Sequence, residues 1–175
     1  MNEILKAMRE RRSVRKFKSD MPSKEQIDQI VEAGLYAASG RGEQASISIV
    51  ITNKELRDKF ADVNRQIGGW DEGFDPFYGA PVIIAVLDRV SWPTHGYDGS
   101  LVIGNMLLAA HALGLGACWI HRAKQEFEMD EFKTILQKLG VDEEYEGIGH
   151  VALGYPDAPI PAPPARKEGR VFYID

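Results

Sequence analysis

The chain has little cysteine, no long apolar run and no excess of positive charge, and each absence removes a class of function. A single cysteine, Cys118, excludes an intramolecular disulfide and any zinc or iron–sulfur site built from several cysteines. The formal net charge of -5 argues against a general nucleic-acid binder, whose affinity would depend on neutralising phosphates. The apolar stretch 101–113 is interrupted by Gly104, Asn105 and His111, so it is not a membrane span.

The motifs of several enzyme classes are also missing. The sequence has no phosphate-binding GxxxxGK[ST], no GxGxxG following a strand, no HExxH and no GxSxG. Metal-ligand spacing is absent among His95, His111, His121 and His150, so no metal site is predicted. Cys118 lies inside a short apolar segment, where an inert buried thiol is expected. If the protein is an enzyme, a bound organic cofactor must therefore carry the reaction.

Length and composition are ordinary for a globular protein. The 175 residues fit one domain, 1–175, with a substantial core, and 44% of them are hydrophobic and 27% charged. The N-terminal sequence Met-Asn-Glu-Ile-Leu-Lys is charged and amphipathic, unlike a secretory signal. We therefore expect a cytoplasmic protein with no membrane or nucleic-acid partner.

Positive charge is concentrated near the N-terminus of this acidic chain. The first 18 residues contain seven lysines and arginines but only two glutamates. In an extended segment Arg11, Ser13 and Arg15 point to one side, and two guanidiniums flanking a hydroxyl suit a phosphate. The alternative is an exposed basic stretch that pairs with surface acids.

Hydrophobic periodicity predicts a mixture of helices and strands. Helices are predicted at 2–10, 23–38, 53–67, 100–114 and 128–139, and strands at 47–51, 82–87, 117–120 and 148–153. Ser23 followed by Gln26 predicts a capping box, and Asn53 predicts another helix start. The strand at 82–87 is a continuous apolar run, which is typical of a strand buried on both faces.

Two segments point to a partner subunit. The helix at 100–114 is apolar nearly all round, so a subunit interface is expected to supply part of its burial. The C-terminal arm, residues 158–175, has four prolines at 158–164 and then the strand-like residues 171–174. An arm that pairs with a partner subunit is the sharper interpretation, and a frayed terminus is the alternative.

Two further segments are candidates for contact with a ligand. The loop 39–44 has two glycines and a serine, so its backbone can approach a ligand closely, although turn geometry alone also explains such glycines. The aromatic loop, residues 68–80, contains Trp70, Phe74, Phe77 and Tyr78 without a clear period. It either fills an edge of the core or lines a flat, apolar ligand site.

Five segments along the chain match, in order and at normal spacing, the motifs of one protein family. They are RRSVRKF at 11–17, AASGRGEQ at 37–44, FYGAP at 77–81, GNMLLAAHALGLGACWI at 104–120, and GYP at 154–156 followed by Arg-Lys at 166–167. Together they resemble the nitroreductase family of FMN-dependent oxidoreductases. The resemblance implies an α+β fold in which helices flank a central, mainly antiparallel sheet. It also implies an intertwined homodimer with exchanged C-terminal arms and two FMN sites at its interface.

The resemblance also implies a set of FMN contacts. They fall on Arg11, Arg12, Ser13, Arg15, Ser39, Gln44, Ile120, His121, Arg122, Arg166 and Lys167. Arg11, Arg12 and Ser13 match phosphate and ribityl contacts, and Arg166 in the arm matches another phosphate contact. Arg15 matches a residue at the pyrimidine end of the flavin, where a positive charge stabilises the negative charge that reduction adds.

Two further segments of the family site come from different subunits. The loop from Ser39 to Gln44 matches a partner-subunit segment lying along the flavin, while His121 and Arg122 match residues whose backbone meets the flavin's reactive edge. The chain departs from the family pattern at Gly42, where many relatives have Asn, and at Ala38, where Pro is usual. It also departs at His121 and Arg122, where relatives often carry small or acidic residues.

The expected activity follows from this resemblance. NAD(P)H would reduce bound FMN, and a small-molecule electron acceptor, such as a nitroaromatic or quinone, would then be reduced in a ping-pong cycle. No catalytic side chain is implied, because the flavin carries the chemistry. The alternatives are a dehalogenating or flavin-consuming relative, a homodimer that stores or senses FMN, and a dimeric scaffold without FMN. The retained set Arg11, Ser13, Arg15 and Arg166 argues against the scaffold.

Overall fold

The computed structural model describes residues 1–174. Its helices are α1 (Glu3–Glu10), α2 (Lys24–Leu35), α3 (Lys54–Gly68), α4 (Tyr97–Ala112), α5 (Ala123–Phe127) and α6 (Asp130–Lys138). Its strands are β1 (Ser46–Ile51), β2 (Val82–Arg89), β3 (Gly116–Ile120) and β4 (Tyr145–Gly154). The strands form one antiparallel sheet in the order β1-β2-β4-β3, which leaves β3 at an edge. The predicted α+β architecture with a mainly antiparallel sheet is confirmed.

Local hydrogen bonds define the helix starts that the sequence predicts. The Ser23 backbone N–H donates to Gln26 Oε1 at 3.0 Å, and the Gln26 N–H donates to Ser23 Oγ at 3.2 Å, which completes the capping box. Asn53 Oδ1 accepts from the Leu56 N–H at 2.9 Å and begins α3 in the same way. Helix α3 ends at Gly68 and is capped by Gly69, whose φ of +67° is a left-handed conformation that glycine adopts readily.

The structure differs from the predicted elements in several places. Helix α4 and strand β4 each begin three residues earlier than predicted. Helix α2 ends at Leu35, short of 38, because its last turn tightens into a bond from the Ala37 N–H to the Gly34 carbonyl. The five-residue α5 is too short to show a helical period, and the sequence did not predict it. Residues 171–174 form no strand, since no other strand lies beside them in the described chain.

Each face of the sheet carries its own apolar core. On one face α3, α5 and α6 contribute aromatic side chains such as Phe60, Phe127 and Phe132, and on the other α2 and α4 contribute aliphatic ones. Alternate residues of β2 face the two cores, with Ile83, Ala85 and Leu87 in the first and Val82, Ile84 and Val86 in the second. This double burial explains the unbroken apolar run of β2.

Apolar side chains remain exposed on α1, on α4 and along the arm. They include Ile4, Leu5, Met8, Tyr97, Leu101, Val171, Phe172, Tyr173 and Ile174. Phe172 is 85% exposed, so the described part of the arm is not packed against the chain that carries it. Within residues 1–174 no helix is both long and apolar enough to span a membrane.

Candidate cofactor site

The basic segment, residues 11–18, crosses the end of β3 and is held there by its apolar residues. The Val14 N–H donates to the Ala117 carbonyl at 3.0 Å, and the Val14 side chain covers Gly116. A Cβ on Gly116 would lie 2.8 Å from Val14 Cγ2, so only glycine allows this close packing. Phe17 is buried and bridges to Pro156. These anchors fix the backbone from which the arginines project.

Arg11 and Arg12 carry buried donors without a hydrogen-bond partner. Arg11 Nη1, Arg12 Nε and Arg12 Nη2 are enclosed by the protein, and no acceptor contacts them in the described chain. No carboxylate within residues 1–174 forms an ion pair with Arg11, Arg12 or Arg15, whereas Lys16 pairs with Asp157 at 3.0 Å. Enclosed, unpaired guanidinium nitrogens are costly unless a ligand supplies the acceptors, so the donor set fits an anion such as a phosphate.

The basic segment lies beside Cys118 of β3. Burial raises the pKa of the Cys118 thiol, while the neighbouring Arg15, Ser13 and Arg11 act to lower it. Arg11, Ser13 and Arg15 therefore all lie close to Cys118. Cys118 itself is buried, and its raised pKa disfavours the reactive thiolate.

The outer edge of β3 beyond Ala117 has no strand partner among the described residues. The Ala117 carbonyl points away from β4, because it accepts from Val14. Backbone polar groups repeat every second residue along a strand, so those of Trp119 point outward too. The basic segment meanwhile turns away to pair with residues 155–157. This open edge, residues 118–120, spans about 10 Å and runs from the arginines to the turn that follows Ile120.

The turn at His121 and Arg122 is strained and firmly held. Arg122 has a φ of +84°, a left-handed conformation that is unfavourable for residues other than glycine. The His121 carbonyl accepts from Asn64 Nδ2 at 2.9 Å. The Arg122 guanidinium lies over the Trp70 ring, 4.3 Å from its centroid, and forms a cation–π contact. Strained turns fixed in this way are characteristic of ligand sites.

The aromatic loop divides between core and surface. Phe77 is fully buried and fills an edge of the core, whereas Trp70 and Phe74 are partly exposed with ring centroids 5.0 Å apart. Tyr78 continues this chain of rings at 6.1 Å from Phe74. Phe77 therefore confirms the core interpretation, whereas the ligand-site interpretation stays a prediction for Trp70 and Phe74. The exposed rings lie next to the His121–Arg122 turn through the Arg122–Trp70 contact.

The remaining predicted site residues are not brought to the basic segment within one chain. In the loop 39–44, the Gln44 N–H donates to Ser39 Oγ at 3.1 Å, and the Gly40 N–H donates to Asp98 Oδ2, also at 3.1 Å. Asp98 belongs to the first turn of α4, so this loop is attached to that helix. Arg166 and Lys167 are exposed in the arm. The predicted site therefore falls into three separate parts in a single chain.

A model of the Nitroreductase family matches residues 8–68 and 69–155. The chain belongs to the Nitroreductase family. It is 31% identical to a Methanothermobacter thermautotrophicus protein provisionally named NADH dehydrogenase/NAD(P)H nitroreductase, over 88% of this chain and 78% of that protein. Two nitroreductase crystal structures with bound FMN cover the full length of both chains. They are 28% identical with a TM-score of 0.87 (Bacteroides fragilis) and 29% identical with a TM-score of 0.88 (Desulfitobacterium hafniense).

Family membership confirms the resemblance identified from the five sequence segments. It also confirms the nitroreductase fold and the general class of FMN-dependent oxidoreductases. The matched residues include the basic segment, the loop 39–44 and β3 with the following turn, but not the arm beyond 155. The sequence indicated each of these segments, but it gave no sign that Asn64 and Glu126 lie beneath the His121–Arg122 turn.

Proposed function

We propose that this nitroreductase family member is an FMN-dependent NAD(P)H oxidoreductase whose cofactor lies along the open edge of β3. The buried, unpartnered nitrogens of Arg11 and Arg12 carry this proposal, because a phosphate supplies the acceptors that they lack. Ser13 adds a hydroxyl beside them. In this arrangement Ile120, His121 and Arg122 border the ring system at the far end of the edge.

The side chains around the site bind and orient, and none has to act as an acid or base. FMN held here would supply the two-electron chemistry. Arg15 provides a fixed positive charge without an ion-pair partner in the described chain, which favours the reduced, more negative state of the ring. The backbone of the His121–Arg122 turn provides hydrogen-bonding groups that are already in position.

We also propose that the working unit is a homodimer and that 1–175 acts as one domain. The exposed apolar residues of α4 and the arm need a covering surface, which a second copy provides. Loop 39–44 and the arm residues Arg166 and Lys167 would then complete the site of the partner subunit. The attachment of the loop to Asp98 on α4 supports this, since it couples the loop to the interface helix.

The reaction follows a ping-pong order in this proposal. Reduced nicotinamide and the electron acceptor would occupy the same position in turn, bordered by the exposed rings of Trp70 and Phe74. Flat, aromatic acceptors such as nitroaromatics and quinones suit such a surface.

Purified protein is expected to be yellow, with about one FMN per subunit. Steady-state rates with NADH and NADPH against a panel of nitroaromatics, quinones and halogenated phenols would give parallel double-reciprocal lines, as a ping-pong order requires. Bound FMN without turnover of any acceptor would favour storage or sensing. Turnover only with halogenated phenols would indicate a dehalogenating relative. A colourless protein that does not bind added FMN would refute the proposal.

Replacing Arg15 with alanine is expected to lower the reduction potential of bound FMN. It should also slow reduction by NAD(P)H more than it weakens FMN binding, because the charge acts on the reduced ring and not on the phosphate. Spectroelectrochemical titration and stopped-flow reduction measure the two effects. Lys18→Ala removes another exposed cation of the same segment and serves as the control. A normal potential in Arg15→Ala would place Arg15 away from the ring.

A further inference from the structure

Three polar side chains from different elements meet in the core beneath the His121–Arg122 turn. Asn64 projects from α3, Glu126 from α5 and His150 from β4, and all three are fully buried. We call them the buried triad. Charged and polar groups are rarely enclosed to this degree unless they are hydrogen-bonded or paired.

The triad is connected by specific hydrogen bonds. Asn64 Nδ2 donates one hydrogen to Glu126 Oε1 at 2.8 Å and the other to the His121 carbonyl at 2.9 Å. The second carboxylate oxygen, Glu126 Oε2, is hydrogen-bonded to His150 Nε2. Both oxygens of Glu126 and both hydrogens of the Asn64 amide are therefore engaged. Only an amide nitrogen can donate to two acceptors here, so the orientation of Asn64 is fixed.

Aromatic rings confine the third member of the triad. The Phe60 and Phe77 rings approach the His150 imidazole edge-on, with centroids 5.6 Å and 5.3 Å away. His150 also pairs with Ile120 across the β3–β4 ladder, so it is fixed relative to the end of β3. The imidazole consequently has little freedom to move, and through Glu126 it restrains Asn64.

Stability alone does not explain the triad. A buried polar pair such as Glu126 and His150 can often be replaced by apolar residues of similar volume at little cost in stability. What the triad does is hold one main-chain atom, the His121 carbonyl, immediately before Arg122 with its strained φ of +84°. A strained turn persists only where its surroundings over-determine it. The Arg122 contact with Trp70 holds the same turn from outside.

We propose that Asn64, Glu126 and His150 are positioning residues that fix the His121–Arg122 turn against the reactive edge of the flavin. This inference rests on the proposed function, which places the flavin ring at that turn. The triad does not contact Arg11 or Arg12, which lie at the other end of the open edge and bind the phosphate in the proposed function. Loss of the triad should therefore change the reduction potential and the reduction rate of the flavin while leaving phosphate binding unchanged.

The test compares Asn64→Leu with Gln66→Leu, a matched control that removes an exposed amide from the same helix. In Asn64→Leu we expect reduction by NAD(P)H to slow about 10- to 100-fold, the scale of a small misplacement in an active site. We also expect a changed reduction potential of bound FMN, with FMN affinity within about threefold of wild type. Amide hydrogen exchange at residues 121–123 of the FMN-free protein should become faster.

Two variants at Glu126 test the same role, one that keeps its hydrogen bonds and one that removes them. Glu126→Gln retains an oxygen for Asn64 and a polar group for His150, so we expect a potential and a reduction rate near those of wild type. The double variant Glu126→Leu/His150→Leu removes the polar pair without leaving an unpaired buried charge, so it is expected to fold. It should nevertheless reproduce the effects of Asn64→Leu, because the amide loses the partner that orients it.

Failure of this inference differs from failure of the proposed function. A wild-type protein that binds no FMN overturns both. The positioning role alone is overturned if wild type binds and reduces FMN while Asn64→Leu and the double variant lose only thermal stability. In that case the flavin potential, the reduction rate and the exchange at residues 121–123 would all match the Gln66→Leu control.

Discussion

Replacing Arg11 or Arg12 with alanine is expected to weaken FMN binding by about 1.5–3 kcal/mol, or about 10- to 150-fold. The unpartnered nitrogens of both side chains are already enclosed by the protein, so a phosphate gains their hydrogen bonds with little ordering of the site. Fluorescence titration of the FMN-free variants measures the loss. The FMN-free variants should be no less stable to unfolding than the FMN-free wild type, since the enclosed nitrogens lack acceptors there and neither arginine has an ion-pair partner in the described chain.

Arg9→Ala is the matched control for these variants. Arg9 is an exposed cation in the last turn of α1, two residues before Arg11, so its removal lowers the local charge equally without touching the enclosed donors. If Arg9→Ala weakens binding as much as the others do, FMN is attracted by general charge. Unchanged affinity in both Arg11→Ala and Arg12→Ala would place the phosphate elsewhere.

Deleting residues 158–175 is expected to lower both dimer stability and FMN content. The full-length protein should be an obligate homodimer that buries more than roughly 2,000 Å², the scale that separates obligate from transient contacts. Without the arm, its contact with the partner subunit and the phosphate contact of Arg166 are lost together. Sedimentation equilibrium and the ratio of FMN to subunit measure the two losses. A truncated protein that stays a yellow dimer with unaltered thermal unfolding would contradict arm exchange.

The double variant Arg166→Ala/Lys167→Ala separates the two roles of the arm. It keeps the prolines and the apolar residues 171–174, so the dimer should persist while FMN affinity falls. Loss of the dimer in this variant would show that these cations act in assembly. Unchanged FMN affinity would remove Arg166 from the cofactor site.

The fold was largely predictable because its signals are local. Ser23 and Gln26 are three residues apart and make the predicted capping box, and the continuous apolar run of β2 reflects burial from both sides. The end of α2 and the five-residue α5 were missed, because a tightened last turn and a single helical turn leave no period. The strand order was not predicted, since pairing depends on contacts distant in sequence, and only the mainly antiparallel character of the sheet came from the family resemblance.

The candidate site was predictable only where it is contiguous. Arg11, Ser13 and Arg15 alternate along one segment, so their spacing alone groups them as a candidate ligand site. The buried triad has no such signature, because Asn64 and Glu126 are 62 residues apart and each looks like a surface polar residue on its own helix. His150 stands out only as one polar residue inside an apolar strand. Its partner is determined by how β4 lies under α5.

We expect the open edge of β3 to affect how the protein is produced. An uncovered strand edge is a template on which other chains can add strands, and it leads to aggregation. In the proposed function FMN covers this edge, so a newly made chain remains at risk until it acquires cofactor. A ligand that binds only the native state also shifts the folding equilibrium towards it. Riboflavin supply during expression should thus determine the yield of non-aggregated protein as well as its colour.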